Sequence, residues 1–480
     1  MFKLNNDILY LIFKELQNNK KVLLSGLTVN KTWCETIVPI LWRNPWKYLK
    51  NNKLEKKLLL NTIITQLSDE SRNNLKSQGV DFPTNPYQRP LFDYMSFCRY
   101  LNLNNINEII NIFIDNINEK SVFLIVREEI LKLFINKNTR LTHLCIPHQF
   151  DYQINLILDA NLCFSELEFL SCNTSISNNV LNGLIEICKP IKELELIIEK
   201  GGNNYEIINL IKAMKRLFNV NLHYLQNEQN DESFCRILEG SLVTHANSIR
   251  YFKMTGRSIT KFISSFVNLN KLELIATDHN NVAAWNCLKN LSLPFIRILK
   301  ARSIPIEALV SLIKNTNGCL TTIKIDYIAH TFDNNKCIIQ AIYQSCPNLE
   351  YLKLFFKSSN ILELNNLLNN CQYLSKLHII IDNYFESGAL YNWDYLFEVL
   401  TSSSPACLYN LKFCFDEAPT LESLKLFLDN WKNRRSMLLK TMQINDIFLN
   451  PLNFWSDKHL DLLKEYKAKG IVKRYYHCLH

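Results

Sequence analysis

Apolar residues recur at helical spacing over the first fifty positions. One stripe repeats every four residues and predicts a helix of about three turns. Its members are Leu4, Ile8, Ile12 and Leu16, with Leu9 and Phe13 beside them. Two more short helices follow, one around Leu23–Leu24 and one around Trp33. Three short helices can bury only a small core, which gains stability by docking onto another surface.

The pattern changes after further helical stretches at Lys53–Leu67, 104–118 and 121–136. Short segments of the form [Leu/Ile]-x-x-[Leu/Ile]-x-[Leu/Ile/Cys] then return along the chain. They begin at Leu141, Leu167, Ile191, Ile249, Leu269, Ile296, Leu320, Leu349, Leu374 and Leu408. Most separations are about 20 to 30 residues, which is within or slightly above the range of leucine-rich repeats.

Three of these segments share the residues that precede them. In each, an apolar helical pattern ends at a cysteine, namely Cys188, Cys346 or Cys371, and the strand begins three residues later. A repeated unit of helix, turn and strand predicts an α/β solenoid, a horseshoe with parallel strands on its concave face. Two stretches are irregular, since 201–248 has no clean strand and 380–407 is long. The repeats resemble the cysteine-containing leucine-rich repeats that often follow an F-box.

The first 45 or so residues also resemble the F-box family. The matching residues are Leu4-Asn5-Asn6-Asp7-Ile8-Leu9, Leu23-Leu24, Val29-Asn30-Lys31-Thr32-Trp33 and Leu41-Trp42-Arg43. Asn5 stands where the family usually has proline, which pre-orders the first turn. The resemblance implies docking onto the Skp-type adaptor, and through it the cullin, of a ubiquitin ligase. The implied adaptor contacts are Leu4, Ile8, Ile12, Phe13, Leu16, Val29 and Trp33.

Four segments follow from these patterns. We predict an F-box-like helical module at 1–50, a helical linker or cap at 51–138, a repeat array at 139–430 and a basic C-terminal cap at 431–480. The implied function is a substrate-recognition subunit that holds a target protein on the array. The alternative is a repeat scaffold for protein interactions with no role in a ligase.

Charge is concentrated at the two ends of the chain. The net formal charge is +9, which divides into +7 for residues 1–57, +6 for 431–480 and −4 for the rest. The adaptor family is acidic, so the basic N-terminal end suits it. A nucleic-acid binder concentrates positive charge on its working surface, and the acidic middle argues against that class. The basic tail is interpreted as a capping helix at Asp457–Lys469, with an anionic-surface patch as the alternative.

No motif for an enzyme, a cofactor or a metal stands out. Glycine-rich phosphate loops, nucleophile elbows and C-x-x-C pairs are absent from the sequence. Two short sets could hold a metal in principle, His143 with Cys145 and His148, and His477 with Cys478 and His480. A repeat strand and a frayed terminus account for them better. With no signal peptide or membrane-length apolar run, we expect a cytoplasmic or nuclear protein with reduced cysteines.

One row of repeat positions predicts a ligand site. The residue between the two inward aliphatics of a strand faces the concave surface. In chain order these residues are Lys253, Glu273, Lys300, Lys324, Lys353, His378 and Lys412. Like charges on neighbouring strands are destabilising, so stability alone does not favour the row. We hypothesise a basic strip that binds an acidic or phosphorylated protein segment. The alternative is that the lysines extend into water and bind nothing.

Overall fold

The fold is described from a computed structural model. It describes residues 5–49, 52–80, 90–114, 120–199, 201, 203–225, 231–256, 260–277, 282–289, 291–326, 332–381, 391–443 and 454–479. The chain divides into two compact units, Met1–Leu222 and His223–His480.

The first unit begins with helices and continues with alternating strands and helices. Its helices are α1 Asn6–Glu15, α2 Lys20–Leu27, α3 Lys31–Trp42, α4 Lys53–Ile64, α5 Asp69–Ser77, α6 Leu103–Ile114, α7 Lys120–Phe134, α8 Ala160–Cys163, α9 Asn178–Ile187 and α10 Ile207–Ala213. Its strands are β1 Tyr100–Asn102, β2 His143–Cys145, β3 Phe169–Asn173, β4 Glu193–Ile198 and β5 Asn219–Tyr224, which ends just past the boundary. The strands follow one another in the sheet in chain order.

Asparagine side chains start the three N-terminal helices. Asn5, Asn19 and Asn30 accept hydrogen bonds from the backbone N–H groups of Asp7, Val22 and Trp33 at 3.3, 3.3 and 2.9 Å. A side-chain oxygen at this position satisfies a donor that has no partner within the helix. These three asparagines therefore serve to begin helices.

The three helices share a small core. Leu9, Phe13, Leu23 and Ile37 are buried in it, and Trp33 packs against it. Gly26 lets α2 approach α3 closely, because a Cβ there would lie 2.5 Å from Cδ1 of Ile37.

Two tryptophans join these helices to the rest of the first unit. The Trp42 ring lies 4.6 Å from that of Tyr94. The Trp46 indole N–H donates to the carbonyl of Tyr100 at 2.7 Å, at the first residue of β1. The N-terminal helices therefore have their own core and are also anchored at the start of the sheet.

The second unit repeats strand and helix more regularly. Its strands are β6 Tyr251–Thr255, β7 Lys271–Ile275, β8 Ile298–Arg302, β9 Thr322–Asp326, β10 Tyr351–Phe356, β11 Lys376–Ile381, β12 Asn410–Phe415, β13 Met437–Gln443 and β14 Val472–Leu479. Its helices are α11 Glu232–Val243, α12 Ile306–Lys314, α13 Phe332–Ser345, α14 Ile361–Asn370, α15 Trp393–Ser403, α16 Leu421–Asn430 and α17 Asp457–Ala468. Short 3₁₀ segments at Phe262–Ser265 and Val282–Leu288 connect β6 to β7 and β7 to β8. The strands again pair in parallel and in chain order.

Alternation along the strands separates a buried face from an open one. Leu352, Leu377, Leu411 and Leu439 are directly opposite one another on β10 to β13, and all are buried. The residues between them are mostly half-exposed. In each unit, we call the face of the sheet that carries these intervening residues the open face. The predicted α/β repeat with parallel strands is thereby confirmed.

The cysteines at the ends of the repeat helices are packing residues. Cys188, Cys346 and Cys371 are fully buried. The Cys371 thiol lies 3.7 Å from the Cys346 carbonyl of the preceding repeat and donates to it. Burial raises the pKa of both thiols to about 12, so they stay protonated. None of the fifteen cysteines, all of which lie in the described residues, forms a disulfide.

Sheet strands continue beyond the predicted limits of the array, 139 and 430. β1 lies before the first limit, while β13 and β14 lie after the second. β5 occupies the stretch 201–248, which was predicted to have no clean strand. The segment predicted to fray at 477–479 belongs to β14, which pairs with β13. Within the described ranges, every helix is too short or too polar to cross a bilayer.

Candidate functional site

The helix α1 carries apolar residues on two faces. Leu9 and Phe13 point into the three-helix core. Ile8, Leu11 and Ile12 remain 47%, 59% and 42% exposed. These three residues lie at i, i+3 and i+4 and therefore share one side of the helix. We call them the α1 face.

The predicted adaptor contacts divide between surface and core. Ile8, Ile12 and Val29 are exposed, and Leu16 is half-buried. Phe13 is buried, with its ring 5.0 Å from the Trp33 ring in an edge-on arrangement. These two aromatics therefore support the surface from beneath. Leu4 lies outside the described residues.

Sequence reasoning missed three exposed aliphatics in the same region. Leu11, Val22 and Leu24 are 59%, 38% and 45% exposed. Leu11 follows Ile8 by three residues, which was a usable signal. Leu23 is buried while the next residue, Leu24, is exposed. This difference depends on how α2 packs against α3.

The lysine row lies in strict register across the open face of the second unit. It comprises Lys253, Glu273, Lys300, Lys324, Lys353, His378, Lys412 and Lys440 on β6 to β13. Every predicted member is in it. Lys440 is an addition from a strand that lies within the predicted cap. Neighbouring strands are about 4.8 Å apart, so successive charges are directly opposite one another.

The first part of the lysine row contains its own counter-charges. Glu273 lies 3.1 Å from Lys300 and 3.9 Å from Lys271. Burial opposes ionisation of Glu273, but the hydrogen bond from Lys300 and the nearby ammonium groups lower its pKa overall. Asp326 forms an ion pair with Lys353.

Lys324 lies among other cations. Its ammonium group is 4.7 Å from the centre of the Tyr351 ring, a favourable cation–π position. Burial, followed by the charges of Lys300 and Lys353, lowers the pKa of Lys324. Neighbouring lysines of the row therefore repel one another, which destabilises their charged forms.

His378 differs from the prediction of a basic strip member. It occupies the expected position in the row, but it is buried, and its Nε2 lies 3.1 Å from the Cys414 thiol. Burial, and then the charges of Lys412, Lys353 and Lys324, lower the pKa of His378 to about 3. It is therefore neutral at physiological pH, since a third cation between two lysines is unfavourable.

An apolar row runs beside the C-terminal part of the lysine row. Phe355, Ile380, Cys414 and Met442 are opposite one another on β10 to β13, each two residues beyond its lysine-row neighbour. Cys414 is buried and the other three are half-exposed. This part of the open face thus has a cationic edge beside an apolar edge.

The three residues of the first candidate metal set, His143, Cys145 and His148, have separate surroundings. His143 stacks on Tyr100 with ring centres 3.8 Å apart, and burial lowers its pKa to about 4. Burial raises the pKa of Cys145 to about 11, which disfavours a thiolate ligand. His148 pairs with Glu199 through Nδ1 at 2.7 Å.

The second candidate set also has other roles. His477 Nδ1 lies 2.9 Å from the Thr441 hydroxyl, and its ring stacks on Trp455. Cys478 is exposed on β14, and His480 lies outside the described residues. Among the described residues, no group of three or more histidine, cysteine, aspartate or glutamate side chains is placed to hold a metal ion.

Comparisons with known proteins give a remote structural match. No family model and no curated protein matches the chain. Among solved structures, the chain is similar to a leucine-rich-repeat protein of Leptospira interrogans at 16% identity and a TM-score of 0.26. The match covers 69% of this chain and 89% of that one. The description of the repeat fold therefore rests on the strand pairing within this chain.

Proposed function

We propose that the chain is a substrate receptor of a Skp–cullin–F-box type ubiquitin ligase. The N-terminal helices dock onto the adaptor, and the open face of the repeats holds a target protein. The chain performs no chemistry itself. It raises the concentration of the target near the ligase, as linked binding modules do.

The observation that carries the proposal is the division of α1 into two apolar faces. A helix that only caps a repeat array needs one buried face. Here Leu9 and Phe13 supply that face, while Ile8, Leu11 and Ile12 of the α1 face remain exposed. Exposed aliphatics grouped on one side of a helix indicate an interaction surface. Two of the three, Ile8 and Ile12, are adaptor contacts that the F-box resemblance implies.

Charge supports the same partner. The first 57 residues carry a net charge of +7, and Lys14 and Lys21 are exposed on α1 and α2. The adaptor family that the resemblance implies is acidic. Opposite charges at the rim of an interface speed the encounter more than they set the final affinity.

The second candidate is a repeat scaffold with no ligase role. The hydrogen bond from Trp46 to Tyr100 at the start of the sheet favours it. With that anchor, the N-terminal helices would serve as a cap on the first strand. This candidate predicts that the α1 face contacts no adaptor.

Co-elution with a purified Skp-type adaptor separates the two candidates. The full chain and the adaptor are mixed and passed over a size-exclusion column, with a known F-box protein as the positive control. The proposal predicts a stable complex of one chain with one adaptor. Separate elution of the chain, while the control forms its complex, would sink the ligase role and leave the scaffold.

A further inference from the structure

We propose that Lys353, Lys412 and Lys440 bind an extended segment of a partner protein in which acidic and apolar side chains alternate. The acidic groups are carboxylates or phosphates, and the apolar groups contact the row of Phe355, Ile380 and Met442. This inference rests on the proposed function, since it names the class of target segment that the open face accepts.

Beyond Lys353, the described part of the lysine row lacks the counter-charges found before it. Lys353 pairs with Asp326. Among the described residues, Lys412 and Lys440 have no carboxylate within ion-pair distance, and Lys440 lies only near the Tyr476 ring, 5.3 Å from its centre. Lys412 and Lys440 are directly opposite each other on neighbouring strands. Like charges in that position destabilise a sheet, and an anion placed between them removes the cost.

A neutral residue, His378, separates two cations of the lysine row, Lys353 and Lys412. His378 is buried between Lys353 and Lys412 in the register and carries no charge at neutral pH. Cys414 beside it is also buried. A ligand above His378 and Cys414 therefore contacts Lys353 on one side and Lys412 on the other. Both lysines are partly buried, and partial burial strengthens electrostatic attraction.

The apolar row sets the alternation of the ligand. In an extended chain, successive side chains point to opposite sides at about 3.3 Å per residue. A segment lying across the strands would direct every second side chain to the lysines and the others to Phe355, Ile380 and Met442. From β10 to β13 the distance is about 14 Å at 4.8 Å per strand, which is the length of four or five residues.

The apolar row also favours a protein over a nucleic acid. A sugar-phosphate backbone could satisfy the lysines. It offers no apolar side chains for Ile380 and Met442, whereas a polypeptide offers one at every second residue. Nucleic acid is therefore an outcome that the test must exclude.

The test measures binding of four fluorescein-labelled probes to the full chain. They are a twelve-residue peptide of alternating Glu and Leu, its phosphoserine–Leu and Gln–Leu counterparts, and a single-stranded oligonucleotide. We expect the first or second peptide to bind at least tenfold more tightly than the other two probes. The stronger of the two acidic peptides identifies the source of the anion. Equal binding of the Gln–Leu peptide or of the oligonucleotide, or no binding of either acidic peptide, would overturn the inference.

A charge-reversal variant locates the site. Lys353→Glu, Lys412→Glu and Lys440→Glu together should weaken the acidic peptide at least tenfold. The matched control reverses the exposed helical lysines Lys314, Lys336 and Lys425 and should stay within twofold. If charge reversal prevents folding, the three Lys→Gln changes carry the same test. Unchanged peptide affinity in the folded variant contradicts the site.

Adaptor binding separates this inference from the proposed function. The charge-reversal variant should co-elute with the Skp-type adaptor as the unmodified chain does, because the three lysines and the α1 face lie in different units. If the full chain binds the adaptor but neither acidic peptide, only the peptide site at Lys353, Lys412 and Lys440 is overturned. Failed adaptor binding with intact peptide binding overturns only the ligase role.

Discussion

Removing the α1 face should weaken adaptor binding without unfolding the chain. The perturbation is Ile8→Ser, Leu11→Ser and Ile12→Ser, at side chains 47%, 59% and 42% exposed. Full burial of an aliphatic side chain contributes about 1.5–3 kcal/mol. Covering the exposed half of each therefore contributes about 0.7–1.5 kcal/mol, or about 2–4 kcal/mol for three. That range corresponds to a loss of roughly 30- to 1000-fold in affinity.

Isothermal titration calorimetry with a purified Skp-type adaptor measures the loss. The matched control replaces by serine three aliphatics on repeat helices that are 47%, 67% and 57% exposed, namely Ile237, Leu362 and Leu426. It should retain the affinity of the unmodified chain within twofold. Thermal unfolding should change little in either variant, because Leu9 and Phe13 remain in place. An affinity within threefold of the unmodified chain after the α1 substitutions would refute the docking surface.

Three further predictions concern the folded chain. Phe13→Ala should destabilise the three-helix region by about 3–5 kcal/mol, seen as faster hydrogen exchange in α1 to α3; unchanged exchange would contradict its core position. Asn30→Ala should cost about 1 kcal/mol through loss of the α3 cap, while Asn30→Ser should recover most of it in the same assay. The lowered pKa of His378, about 3, makes the folded chain bind fewer protons than the unfolded one below pH 6.5, so its stability falls as pH drops toward 3. Between pH 7.5 and pH 5 the free energy of unfolding should fall by about 2 kcal/mol because of His378. His378→Gln should remove that part of the loss, as measured by urea unfolding. An equal loss in the variant would show that the imidazole lies in solvent.

The repeat strands were predictable because their physics is local. Each needs buried residues at alternate positions, and Leu194, Leu196 and Ile198 display that alternation in six residues of sequence. β5 has the same alternation, but Val220 stands where the pattern required leucine or isoleucine. β1 was missed because its repeat begins with Cys98, which is buried in place of an aliphatic residue. Volume and burial, not the leucine itself, define the repeat.

The candidate site was predictable in position but not in exposure. Spacing placed Ile12 and Phe13 on one helix, but only the packing of α3 decides that Phe13 is covered and Ile12 is not. Similarly, the register put His378 in the lysine row, as expected. Its burial beside Cys414 involves a residue 36 positions away. Sequence spacing contains no information about such contacts between strands.

Hydrogen–deuterium exchange of the full chain, with and without the Skp-type adaptor, tests the central claim most directly. The account predicts that adaptor binding slows exchange in α1 and α2, Asn6–Glu15 and Lys20–Leu27, and leaves β9 to β13 unchanged. Exchange in α1 and α2 that is the same with saturating adaptor, or protection confined to the repeat strands, would contradict it.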